Sequence, residues 1–88
     1  MREPNGPFAF QLDRSAERPL AEQLQQRLRA AIEAGQLQAG ARLPSWRDLA
    51  AQLGVARGTL REAYERLVDE RLIVASGAAG THVAGAPP

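Results

Sequence analysis

The sequence contains no cysteine, no lysine and a single histidine among its 88 residues. Without cysteine, the chain forms neither a disulfide framework nor a cysteine zinc site. A lone histidine also leaves most metal-ligand sets and nucleophile–base pairs incomplete, so neither a metal site nor a catalytic role for His82 is expected. Aromatic residues make up only 5% of the chain. Its core must therefore be built mainly from leucine, isoleucine, valine and alanine.

Long apolar stretches are also missing. The longest purely apolar run, residues 72–75, has four residues, whereas a membrane-spanning helix needs about 20. The N-terminus lacks an apolar segment behind a basic one, so it does not resemble a secretory signal. We therefore expect a cytoplasmic protein without membrane contact.

The charge is almost balanced, with 11 arginines against 10 acidic residues and a formal net charge of +1. This balance excludes a long basic or acidic tail. Every basic residue is arginine, which suits bidentate contacts to phosphate or guanine, although a GC-rich genome produces the same bias. Composition alone does not decide between these explanations, so the positions of the arginines have to.

Turn-forming residues at both ends indicate segments outside the fold. Residues 1–9, rich in proline, asparagine and glycine, are predicted to be a mobile leader. Residues 85–88 are small and proline-rich, as at the start of an interdomain linker or at a frayed terminus. Residues 10–84 are then expected to form one domain.

Apolar residues recur at helical spacing in three segments between these ends. The first begins at Pro19 and ends at Gly35. The second begins at Ser45, which can cap it, and is broken by Gly54, and the third covers about residues 56–70. The core-facing positions are Leu20, Leu24, Leu28, Ile32, Leu49, Ala50, Leu53, Leu60, Ala63, Tyr64, Leu67 and Val68.

The period changes after the third helix. Residues 72–75 favour a strand, residues 76–80 a turn of small residues, and residues 81–83 a returning strand. Residues 36–43 are interpreted as a connector. The expected fold is therefore mainly α with a small β-hairpin.

A short helix, a turn containing glycine and a longer helix form a helix-turn-helix pattern. Residues 45–61 carry three arginines against one aspartate, whereas residues 62–74 carry four acidic residues against two arginines. Cations at a helix N-terminus oppose the helix dipole, so this placement suggests a phosphate partner. The alternative is that Arg57 and Arg61 pair with neighbouring carboxylates on a solvated face.

The motifs resemble the GntR-type winged helix-turn-helix domain. Residues 43–50, Leu-Pro-Ser-Trp-Arg-Asp-Leu-Ala, resemble the family's Leu-Pro-Ser-x-Arg-x-Leu-Ala signature. Residues 53–64, Leu-Gly-Val-Ala-Arg-Gly-Thr-Leu-Arg-Glu-Ala-Tyr, are similar to its recognition helix. Residues 19–37 look like its opening helix and residues 80–83 like the end of its wing. Three helices plus a wing are therefore expected.

The resemblance also implies a DNA-binding site. Arg47 corresponds to a phosphate-contacting arginine, Arg57 and Arg61 to base-reading arginines, and Gly80 to the wing-tip glycine that approaches the minor groove. The complete set of expected DNA-binding residues is Ser45, Arg47, Arg57, Gly58, Thr59, Arg61, Gly80, Thr81 and His82. The helix formed by residues 56–70 is expected in the major groove, beside the wing of residues 72–84.

The chain departs from the family pattern at several positions. Ala56 stands where serine is usual, which removes a capping hydroxyl. Gly58 presents no side chain where the family often reads a base. Arg71 replaces the usual glycine after the third helix, so that this helix end is capped differently or extended. The wing turn, residues 76–80, has no basic residue and carries Ala78 where glycine is common.

Residues 12–14 and the Ala63–Tyr64 pair look like the MocR branch of the family. In that branch, a linker joins the reader to an aminotransferase-like domain that binds pyridoxal phosphate, and a homodimer binds paired half-sites of a double-stranded operator. No cofactor is expected in this segment, because a Schiff base needs a lysine. Three alternatives remain: a shorter GntR relative with a different C-terminal domain, an appended domain of an aminotransferase-like enzyme, or a winged helix that contacts protein.

Three further interpretations concern residues near the third helix. Trp46 either covers the edge of the core or packs on sugar-phosphate, and the first is favoured. Tyr64 is expected in the core with its hydroxyl at the periphery. The acidic residues of the third helix are spaced for ion pairs with its arginines rather than for a metal site.

Overall fold

A computed structural model describes residues 12–13, 17–75 and 80–85 of the chain. Its helices are α1 (Leu20–Glu33), α2 (Trp46–Leu53) and α3 (Arg57–Asp69). Its strands are β1 (Arg42–Leu43), β2 (Ile73–Ala75) and β3 (Thr81–Val83). The predicted leader at residues 1–9, most of the wing turn and residues 86–88 lie outside the described residues.

The first two helices begin and end where the sequence predicts. Ser45 caps α2, because its Oγ accepts a hydrogen bond of 3.0 Å from the backbone N–H of Asp48. Gly35 follows α1 with φ +83° and Gly54 follows α2 with φ +71°. Residues with a side chain are strained in this left-handed conformation and glycine is not. Both glycines therefore end their helices at little conformational cost.

The third helix has neither a capping side chain at its start nor a glycine at its end. Its N-cap, Ala56, provides no side-chain hydrogen bond. At the other end Arg71 adopts φ +64°, where the family pattern has glycine. The Arg71 N–H donates to the carbonyl of Val68 at 2.9 Å, and the Leu72 N–H donates to that of Leu67 at 3.0 Å. This is a Schellman motif built with arginine, so the helix ends here rather than extending.

The β-structure is larger than the predicted hairpin. The strands form a three-stranded antiparallel sheet in the order β1-β3-β2, with both Arg42 and Val74 opposite His82. Residues 42–43 were expected in a connector, and that expectation was wrong. A two-residue strand is too short to show an alternating pattern, and pairing with β3 alone defines it.

The core lies where α1 and α2 pack against α3 and the sheet closes one end. The largest fully buried side chains are Leu24, Leu28, Leu49, Leu60, Leu67 and Ile73. The prediction was wrong for Val68, which is 39% exposed. Trp46 is partly buried against the core edge, which confirms the favoured interpretation.

Tyr64 connects α3 to the segment before α2. Its ring is buried, and its hydroxyl donates a 2.7 Å hydrogen bond to the carbonyl of Pro44. Burial raises the pKa of this phenol far above its usual value of about 10. The hydroxyl therefore stays protonated and can continue to donate. The core position predicted for Tyr64 is confirmed.

Among the described residues, no helix has both the length and the apolar composition needed to cross a membrane.

Candidate nucleic-acid interface

The turn between α2 and α3 directs the start of α3 outward. Gly54 allows the sharp bend, and the Val55 N–H returns to the carbonyl of Ala50 at 3.0 Å. Val55 itself packs against the core. Beyond it, Arg57 and Gly58 are exposed, while Thr59 is half-buried. A Cβ on Gly58 would meet no atom within 4 Å, so this end of α3 faces open space.

Two arginines near this end have no carboxylate partner within the described residues. Arg57, in the first turn of α3, forms no ion pair there, and neither does Arg47 at the start of α2. The Arg47 guanidinium lies 5.3 Å from the ring centroid of Trp46, in cation–π geometry. Stacking on one face of the guanidinium leaves its edge N–H groups able to bind an anion.

Arg61 is different, because its Nε lies 3.2 Å from Oε2 of Glu65. The ion-pair alternative is therefore confirmed for Arg61 and not for Arg57. Both side chains of the pair are about two-thirds exposed, and such a pair one turn apart on a helix contributes only about 0.3–0.5 kcal/mol. A phosphate or a guanine edge can replace Glu65 at little cost.

Trp46 lies between two surface grooves that gather several predicted site residues. One, of about 490 Å³, lies between α3 and the sheet and is lined by Trp46, Arg61 and Thr81. The other, of about 400 Å³, runs from the start of α2 to the wing and is lined by Trp46, Ser45 and Gly80. The fold thus places Ser45, Arg61 and the wing strand around one indole.

The remaining predicted residues lie at the margins of this surface. Gly80 has φ +82°, as a wing-tip glycine requires. His82 is half-buried in the middle strand, between β1 and β2. Arg57, Gly58 and Thr59 line neither groove and project from the start of α3.

Sequence reasoning missed Arg42, which belongs to this surface. It is exposed on β1, and its guanidinium lies against Gly80. The signal available in the sequence was its place directly before the Leu-Pro-Ser motif, but a connector assignment gave no reason to bring it near the wing. Pairing of β1 with β3 does so.

The second half of α3 carries a polar network that connects it to α1. Arg66 bonds to Glu62 at 2.7 Å and to Gln25 of α1 at 3.4 Å. Gln25 donates to Glu70 at 3.1 Å, and Arg29 pairs with the same carboxylate. The ion-pair interpretation is confirmed for Glu62 and Glu65, which pair with Arg66 and Arg61. Glu70 pairs with Arg29 of α1 instead, and Asp69 forms no ion pair with any described residue. No cluster suited to a metal ion occurs within the described ranges.

The fold and these motifs match a known family. The model of the GntR family of bacterial regulatory proteins matches residues 20–83. The chain belongs to the GntR family. It is the DNA-binding domain of a GntR-family transcription regulator, with the winged-helix fold.

This GntR domain is 44% identical over 77 residues to the probable rhizopine catabolism regulatory protein MocR of Rhizobium meliloti. The match covers 88% of this chain but 16% of that protein, so the chain spans about a sixth of its relative.

Solved structures agree with the fold. YtrA from Sulfolobus acidocaldarius, a GntR-family transcription factor, matches with a TM-score of 0.80 and 33% identity, over 90% of this chain and 66% of that one. The DNA-binding domain of AraR in complex with operator ORE1 matches with a TM-score of 0.72 and 30% identity, over 85% and 94%.

Proposed function

We propose that this GntR domain binds operator DNA with α3 in the major groove and the wing of β2 and β3 beside it. The observation that carries the proposal is the exposed start of α3, where Arg57 lacks an ion-pair partner among the described residues. The likeness to the AraR domain, which was solved with its operator, supports it. In a helix-turn-helix, the N-terminal residues of the second helix contact base edges.

Arg57 and Arg61 are the proposed base readers. They lie four residues apart on α3, which corresponds to about 6 Å along the helix axis. Both therefore reach one major groove, where arginine most often binds O6 and N7 of guanine. Gly58 between them leaves room for the DNA backbone or bases to approach, and the half-buried Thr59 is assigned a phosphate contact through its hydroxyl.

Arg47 and Ser45 are the proposed phosphate contacts at the start of α2. The Ser45 oxygen accepts the α2 capping bond, while its hydroxyl proton remains able to donate to a phosphate. At the wing, Gly80, Thr81 and His82 are assigned to the minor-groove side. Such contacts position the domain, and the α3 arginines select the sequence.

For the whole protein, we propose a cytoplasmic homodimer that binds paired half-sites. Likeness to the MocR branch supports an aminotransferase-like domain that binds pyridoxal phosphate, joined to this reader by a linker. The present residues do not fit that cofactor, since the chain has no lysine for a Schiff base. Such a lysine would lie outside these 88 residues.

The test is a binding selection with the wild type, Arg57→Ala and Arg61→Ala, with Arg27→Ala on α1 as control. Each α3 variant should lose about 1–3 kcal/mol on the preferred site and relax the choice at one base pair. Arg47→Ala should instead weaken all sequences alike and lower the salt slope by about one.

Unchanged base preference after both α3 substitutions would leave these arginines as electrostatic anchors. A wild-type domain without salt-dependent DNA binding would favour the alternative of a protein-contact module.

A further inference from the structure

The wing of this domain lacks cationic side chains of its own. The turn segment, residues 76–80, reads Ser-Gly-Ala-Ala-Gly, and β3 contributes only Thr81, His82 and Val83. Attraction between cations and the phosphate backbone supplies most of the non-specific affinity for DNA. A wing without a cation therefore contributes little binding free energy of this kind. The sequence alone therefore predicts a weak wing.

The sheet brings a cation to the wing from another part of the chain. In the strand order β1-β3-β2, β1 is an edge strand, and Arg42 lies opposite His82. The Arg42 guanidinium occupies the space over Gly80: a Cβ at Gly80 would come within 3.0 Å of its Nη2 and 3.3 Å of its Nε. Glycine at position 80 thus leaves room for this guanidinium.

No described residue neutralises the charge of Arg42. It forms neither an ion pair nor a side-chain hydrogen bond with any other described residue, whereas Arg29, Arg61 and Arg66 are all paired. Asp48 lines the same groove but makes no ion pair with Arg42. The guanidinium is exposed and keeps its N–H donors, which match the geometry of a phosphate.

We infer that Arg42 is the phosphate anchor of the wing and binds the backbone of double-stranded DNA next to the half-site that α3 reads. The inference rests on the proposed function. Arg42 and Gly80 line one groove with Ser45, to which a phosphate contact is already assigned. The guanidinium therefore extends a line of phosphate contacts from the start of α2 to the wing. It does not add a base reader.

The test compares Arg42→Gln, Arg27→Gln and Arg57→Gln with the wild-type 88-residue chain. Arg27 is an exposed arginine of α1 without an ion-pair partner among the described residues, so its substitution changes the net charge equally. The probes are the best duplex from the wild-type selection and a scrambled duplex of equal length. Affinities are measured from low to moderate salt.

Arg42→Gln should weaken both duplexes by roughly 3- to 10-fold and lower the slope of log affinity against log salt by about one, with thermal unfolding unchanged. Arg27→Gln should change little. Arg42→Lys should keep the salt slope, because the charge remains. It should lose part of the affinity, because lysine lacks the planar guanidinium that binds a phosphate through two N–H groups.

An Arg42→Gln chain that matches Arg27→Gln, while Arg57→Gln still loses affinity for the selected duplex, overturns this inference alone. A loss confined to the selected duplex would make Arg42 a base reader and also overturn it. Absence of salt-dependent binding in the wild type would remove the proposed function and the anchor with it.

Discussion

The two halves of α3 are built for different tasks. Its start has no capping side chain, no acidic residue in the first turn and an exposed Arg57 with no ion pair to the described residues. Its later turns are fixed to α1 by Gln25 and Arg29, and to the segment before α2 by the Tyr64 hydroxyl. The first half of α3 is therefore exposed, whereas its second half is bonded to neighbouring segments of the fold.

The difference indicates that the exposed, unpaired cation and the stabilising contacts of α3 belong to separate residues of one helix. Cations at the positive end of a helix dipole oppose folding slightly. The exposed guanidinium at the start of α3 therefore destabilises the helix by a small amount. The end of α3 accepts a different cost, a left-handed arginine, where a chain reversal into β2 is required. The network to α1 and the buried leucines offset both.

The largest effect is expected at alkaline pH, which should weaken the contacts of the second half of α3. Burial raises the pKa of Tyr64 in the folded state above its unfolded value of about 10. The stability that the neutral phenol contributes is therefore fully present below pH 10 and is lost as the pH rises further. The expected loss is roughly 1 kcal/mol by pH 11, measured by denaturant unfolding.

The composition makes this experiment clean, because Tyr64 is the only tyrosine and the chain has no lysine or cysteine. Tyr64→Phe should abolish the alkaline loss, although it lowers stability at neutral pH by removing the bond to Pro44. A variant that keeps the same loss would show that another group causes it.

Removing the carboxylate at the end of the network tests the same half by mutation. Glu70→Ala removes the carboxylate that accepts from Arg29 and from the amide N–H of Gln25, and we expect about 1 kcal/mol less stability, or a lower Tm by about 4–8 °C. DNA affinity should not fall. The matched control is Glu65→Ala, which breaks only an exposed pair with Arg61, so its Tm should stay nearly constant and its DNA affinity should rise. Equal Tm losses would contradict the comparison.

A capping side chain at the start of α3 should stabilise its first half and so reduce the difference in stability between the two halves. Ala56→Ser places a hydroxyl at the N-cap of α3, where the backbone is already extended (φ −65°, ψ 143°). The unfolding free energy should rise by about 0.5–1 kcal/mol. Ala56→Val, which offers no acceptor, serves as control in the same thermal unfolding measurement and should bring no gain.

The smallest effect is expected at the end of α3. Arg71→Gly removes the steric cost of a left-handed side chain, about 1–2 kcal/mol, and adds the backbone entropy cost of glycine, about 0.5–1 kcal/mol. A net gain of about 0.5 kcal/mol should appear in denaturant unfolding. Arg71→Ala keeps the Cβ and should gain nothing, so a similar gain in both variants would assign the effect to the arginine side chain instead.

Much of this domain follows from local sequence signals. Helical spacing of leucines defines all three helices, and Ser45, Gly35 and Gly54 mark boundaries because capping and left-handed turns depend on the residue itself. Arg57 and Arg61 could be predicted as exposed from their positions away from the apolar stripe. Their DNA roles remain predictions.

Tertiary structure decided what local pattern cannot encode. Arg42 reaches Gly80 only through pairing of two strands about 40 residues apart in sequence, and a two-residue strand has no periodicity to reveal it. Likewise, only packing of α1 on α3 brings Gln25 and Arg29 to Glu70, whereas Arg61 and Arg66 are paired with carboxylates one turn away on their own helix. The sequence determined the helices and their exposed cations, because those depend on near neighbours. Contacts between distant segments decided instead that Arg29 is paired with Glu70 and that Arg42 lies beside the wing.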